Sequence, residues 1–163
     1  LPGGGLGVLA VDAGGAVVLY VLREVLDGLA ARLAAQRIDR AGLRALARSL
    51  RGMEAAVPRQ NAHGWFVNHA AFHEQIFHSS GNGRALALVS HVRLSIQRFH
   101  QLLLKTPNRL QVALQEHTEI FRAIEAGRAE AAETVARRHI VNAREIVLQV
   151  LREQGLAAAA QGG

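Results

Sequence analysis

Cysteine is absent from this 163-residue chain, so disulfides, thiolate ligands and cysteine nucleophiles are all excluded. Any metal held here must rely on His, Asp, Glu or water. Aromatic residues make up only 4% of the chain and proline occurs three times. With Ala and Leu abundant and few β-branched runs, strands have little to build on, and helices packed on helices are expected. Long hydrophobic runs are missing too. The apolar stretch from Ala13 to Leu22 falls far short of the roughly 20 residues a membrane span needs. No basic segment precedes it, so neither a signal peptide nor an anchor is supported, and a soluble cytoplasmic protein is expected. Lysine is nearly absent: eighteen arginines and one lysine give a formal charge of +6. That balance suits anionic partners without selecting one.

The length fits one domain with a proper core. Residues 1–15 are Gly-rich and read as a flexible segment, with Asp12 a candidate helix cap. The period of Leu19, Leu22, Leu26, Leu29 and Leu33 predicts an inward stripe on a first helix from Ala16 to Arg37. Its early turns, Val17 to Leu22, are apolar nearly all round, which suits a subunit interface as well as a core. Asp39 caps a second helix to Ala56, with Leu43, Leu46, Leu50 and Met53 inward. Arg37, Arg40, Arg44, Arg48 and Arg51 recur at spacings of three and four. No aromatics interleave them to stack bases, so the stripe reads as a solvated face.

Val57 to His63 reads as a linker, and a third helix is expected from Gly64 to Ser79. Ser80–Gly83 is a turn signal, followed by a fourth helix to Lys105. Thr106 and Pro107 supply a cap and a first helical position for a fifth helix, which Gly127 ends. A sixth helix runs from Ala129 to Glu153, and the Ala-rich tail, residues 155–163, is expected to fray.

Four histidines fall on the apolar stripes of these helices. His69 and His73 are four apart and share one face. His117 and His139 are 22 positions apart with Gly127 almost midway. If the chain reverses there, both imidazoles return to one level, each roughly 15 Å from the turn at about 1.5 Å per residue. Converging imidazoles in a helical bundle are the pattern of a metal site. His63, His78, His91 and His100 lack this coherence. Rival metal chemistries fit badly. Phe77 stands where a zinc-protease helix needs its second His, and Glu116 is adjacent to His117 rather than three residues away as in a carboxylate-bridged di-iron bundle. No serine lies in a nucleophile elbow, so nothing in the residues demands catalysis.

Asp or Asn followed by x3-His, a His some 45 residues on, and another after 21 intervening residues is the metal-binding signature of the FCD domain. This is the C-terminal effector-binding domain of FadR-type regulators in the GntR family, and the present spacing resembles it. Leu19 to Ala31 is similar to the family's opening helix. Phe72-His73 with Ser80-Gly81-Asn82, Glu116-His117 with Ala123 to Gly127, and Arg138-His139-Ile140 resemble its later blocks. The likeness covers about residues 12–152.

The resemblance implies an all-α antiparallel bundle of six to seven helices over residues 16–154 that forms a homodimer. It also implies a divalent metal, zinc or nickel, with a small carboxylate effector beside it. The family's acidic first ligand falls at His69, so either His69 ligates through imidazole, completing a set with His73, His117 and His139, or water takes its place. Losing a carboxylate shifts preference toward softer ions. Arg23, on the inward side of the first helix, matches the family's opening-helix Arg. It is expected either to pair with Asp27 or, with the metal, to grip the effector carboxylate. Asn142, one turn beyond His139, is expected to add a neutral hydrogen bond. The family's winged helix-turn-helix has no counterpart in residues 1–15, so any DNA contact is expected through a domain not present in this chain. The expectation is a non-enzymatic, ligand-sensing regulatory domain. The alternatives are a metal-dependent hydrolase or lyase, or a bundle with a purely structural metal.

Overall fold

The computed structural model describes residues 13–81, 89, 92 and 106–161. Five helices make up the described residues: α1 (Ala13–Arg37), α2 (Arg40–Ala56), α3 (Ala62–Ser79), α4 (Arg109–Glu125) and α5 (Ala129–Gln161). No strand occurs among them, and the expected all-α bundle is observed. The expected fourth helix lies outside the described residues except for Val89 and Val92, both helical, with Val89 fully buried in the core. Residues 1–12, including Asp12, also lie outside them.

Helices α1 and α5 run antiparallel. Arg32 near the end of α1 bonds Glu130 and Glu133 at the start of α5, while Ala16 and Tyr20 share a small core with Ile140, Ala143 and Val147 further along it. The larger core gathers Ala30, Ala31 and Ala34 of α1 with Leu46, Met53, Phe72, Phe77, Ile120, Ile124 and Ala132.

The leucine reading of α1 holds in part: Leu19 and Leu26 are partly buried against the cores, but two of the five leucines face outward. Leu22 and Leu29 are 47% and 39% exposed, and the buried positions are Ala16, Tyr20, Ala30, Ala31 and Ala34. Around Gly28, helix α1 packs closely against the Arg137 side chain of α5. A Cβ on Gly28 would stand 2.6 Å from Arg137 Cγ. Leu22 and Leu29 lie on the outside with Val18, Val21 and Val25.

Helix ends follow the caps more closely than the linkers suggested. The Asp39 carboxylate accepts from Gly42 N at 2.7 Å, as expected for an N-cap. Helix α3 starts earlier than expected, because Asn61 Oδ1 accepts from Gly64 N at 2.9 Å and draws His63 into the first turn. The fifth expected helix starts later. Thr106 and Pro107 form a turn closed by Arg109 N donating to Thr106 O, and Asn108, at a φ of 57°, stands at the N-cap without a side-chain bond. Gly127, at a φ of 66°, ends α4. Its N–H donates to Ile124 O and that of Arg128 to Ala123 O, the paired bonds of a Schellman turn. Helix α5 continues past Glu153 to Gln161, because the Leu-Ala segment after Gly155 has strong helix propensity.

Candidate metal centre

Three of the converging helices bring the four stripe histidines together. His69 and His73 come from α3, His117 from α4 and His139 from α5, and one ligand atom from each lies within 4.8 Å of every other. Ring centroids are 4.4 Å apart for His117 and His139, 5.2 Å for His73 and His117, and 4.6 Å for His69 and His73. His69 lies furthest from His139, at 6.5 Å, and is the one member that is not fully buried. His63 and His78 point to solvent.

The outer nitrogens of three rings are already engaged. His117 Nδ1 donates to the Ala113 carbonyl at 2.6 Å, one turn back on its own helix. His139 Nδ1 donates to Glu116 Oε2 at 2.7 Å, and His73 Nδ1 lies 3.2 Å from Asp27 Oδ1. Each acceptor fixes the tautomer with Nδ1 protonated and the Nε2 lone pair turned inward, the usual support for a metal-binding imidazole. His73 Nε2 and His117 Nε2 then face each other at 3.2 Å. Two lone pairs at that separation repel unless a cation or a shared proton lies between them. Burial, and next the charge of His139, push the pKa of His117 well below its usual value, so its ring stays neutral and able to ligate. Two nitrogens each about 2.0–2.1 Å from one tetrahedral zinc lie roughly 3.3–3.4 Å apart, so this donor set fits a divalent ion.

Around the rings stands a layer of buried charges. Arg23 donates to both oxygens of Asp27, from Nε at 3.3 Å and Nη2 at 3.4 Å, so the ion-pair expectation for Arg23 is met. Glu116 accepts from His139, from Arg109 Nη2 at 3.0 Å and from Asn142 Nδ2 at 2.9 Å. Burial pushes the Glu116 carboxyl upward, but His139 and Arg109 outweigh it and hold the pKa at about 2. Asn142 therefore stands behind Glu116 and does not line the cavity beside the rings.

The family model for the FCD domain matches residues 18–142. This chain belongs to the FCD domain family. A solved structure from Streptococcus agalactiae, titled GntR, has a similar fold with a TM-score of 0.70 and 26% identity over 84% of this chain. The match covers 62% of the Streptococcus agalactiae protein, so the present chain spans under two thirds of that length. No curated protein matches.

A cavity beside the histidine cluster of this FCD domain measures about 30 Å³ and is bordered by His69, His117 and His139, by Tyr20 and Arg23 of α1, and by Trp65 and Arg109. Sequence reasoning missed Asp27 and Glu116 as histidine partners, and it missed Arg109 altogether. The signals were modest: Asp27 lies four residues after Arg23, and Arg109 precedes Glu116 by seven, so each pair shares a helix face. Glu116 enters the sequence reading only through its spacing to His117, yet its long side chain reaches across to the next helix.

Proposed function

We propose that this FCD domain is the effector-sensing part of a GntR-type transcription regulator. In this reading a divalent metal, zinc or nickel, is held by His73, His117 and His139 with His69 as the fourth donor. A small carboxylate beside it also contacts Arg23, while Asn142 contributes by orienting Glu116. The bound metal would supply an inner-sphere site for the carboxylate. Ligand state then biases how two copies associate, and DNA is met through a winged helix-turn-helix outside this chain. The observation that carries the reading is the convergence of four imidazoles, three of them with Nδ1 engaged, beside a cavity that His69, His117 and His139 border together with Arg23 and Arg109.

Two further features support it. The α1 residues Val18, Val21, Leu22 and Val25 are 43–59% exposed and form an apolar strip suited to a second copy of the chain. Among the described residues no helix is long and apolar enough to cross a membrane, in keeping with a cytoplasmic regulator. The enzyme alternative needs a free base beside the metal. Glu116 is engaged by three donors and Glu74 is exposed, so a binding role fits better. A purely structural metal would leave the adjoining cavity without a use.

Elemental analysis of the purified domain tests the reading. One equivalent of zinc or nickel is expected, and the joint change of His73, His117 and His139 to Ala should abolish it. Undiminished metal in that variant would reject the site.

A further inference from the structure

The charges lining the cavity leave a surplus once the metal is counted. Arg23 is matched by Asp27, and Arg109 faces Glu116. None of the four converging donors is a carboxylate, so the imidazoles add no negative charge. A divalent ion held by them keeps both of its positive charges inside a buried layer, where uncompensated charge is unfavourable. Arg109 adds a second demand. It is 5% exposed and its Nη2 holds Glu116, but Nη1 is buried with no hydrogen-bond partner among the described residues. A buried guanidinium N–H normally has an acceptor. Arg109 also borders the cavity, together with Tyr20, whose hydroxyl burial pushes toward the neutral, proton-donating form against the pull of Arg23 and Arg109.

We infer that the effector is a short dicarboxylate, with one carboxylate directed to the histidine cluster and the other accepting from Arg109 Nη1. Two negative charges balance the metal, and two ends satisfy two separate donors. The cavity is small, about 30 Å³, which favours a short molecule. This inference rests on the metal-dependent carboxylate reading above. It adds the second anionic group and the residue that receives it.

Titration calorimetry on the zinc-loaded chain, with acetate, malonate and inorganic phosphate as probes, tests it. Malonate is expected to bind about tenfold or more tighter than acetate, the scale of one added charge-assisted hydrogen bond. Phosphate, a compact dianion without two ends, should fall below malonate. Arg109→Gln should remove the preference of malonate over acetate. Arg109→Lys keeps the charge but loses the fork, and should reduce that preference if the Gln variant does not fold. Equal binding of acetate and malonate by the unaltered domain would overturn the dicarboxylate assignment while the sensor reading stands. So would a preference unchanged in both Arg109 variants, or phosphate equal to malonate. Failure of every carboxylate to bind the zinc-loaded domain would overturn both.

Discussion

Helix α2 keeps Leu46 and Met53 fully buried and turns Arg40, Arg44, Arg48 and Arg51 to water, while α1 buries Arg23 and Asp27 and leaves Val18, Val21, Leu22 and Val25 half exposed. The first arrangement follows from transfer free energy alone. The second runs against it twice, and each reversal has a local cause. Arg23 and Asp27 are tolerated because each satisfies the other and because Asp27 also holds His73. A buried pair of this kind seldom stabilises a fold more than apolar side chains of equal volume would. Its presence is better understood through the histidine layer than through stability. The exposed valines and leucine lie opposite an inner face that, apart from Tyr20, Arg23 and Asp27, is lined by alanine and glycine where α1 packs on its neighbours.

The contrast can be broken most severely at its buried charge. Asp27→Ala strands the Arg23 guanidinium and removes the acceptor of His73. A loss of about 3–5 kcal/mol is expected in urea unfolding, together with about 10–100-fold weaker zinc binding. A loss below about 1 kcal/mol would mean that the pair is solvated. On α2 the comparable damage comes from an apolar position. Leu46→Ala opens a cavity in the main core and should lower stability by about 2–5 kcal/mol without direct effect on metal content. The cap of the same helix ranks third: Asp39→Ala leaves Gly42 N unpaired, and about 1 kcal/mol should be lost in the same unfolding measurement.

The smallest stability effects sharpen the comparison most. Arg48→Gln on α2 and Leu22→Glu on α1 both alter exposed positions, and each should change unfolding free energy by no more than about 0.5 kcal/mol. Sedimentation should separate them. Self-association is expected to survive Arg48→Gln and to be lost in Leu22→Glu, and a monomeric parent domain would remove the role assigned to the α1 strip.

These two helices also explain what the sequence could reveal. In α2 one face is charged and the other apolar, so the period names the buried side and Asp39 marks its start. In α1 apolar or small residues occur on most faces, and Leu22 and Leu29 point outward although the leucine period includes them, because leucine counts as more hydrophobic than alanine whether or not there is room for it. The histidine cluster was legible because its spacing alone brings His117 and His139 level, and His69 and His73 share a face by simple periodicity. Arg109 and Glu116 escaped because their reach is set by side-chain length and by which helix lies opposite, neither of which a helical period contains. Helix α3 shows the same limit. Trp65 and Phe72 are buried beside the expected stripe of His73, Ile76 and Phe77, since a helix packed against several neighbours buries more than one line of residues.

The Schellman turn at Gly127 turns the spacing of His117 and His139 into a ruler read from a fixed origin. A residue inserted in α4 after His117, or in α5 before His139, would swing one imidazole about 100° around its helix and raise it about 1.5 Å. The hairpin could still fold with its apolar stripe slipped by one position, but Nε2 would no longer meet its counterpart. Changes in chain length are therefore tolerated differently along this segment: least between each histidine and the turn, and more readily beyond the histidines at the far end of α5.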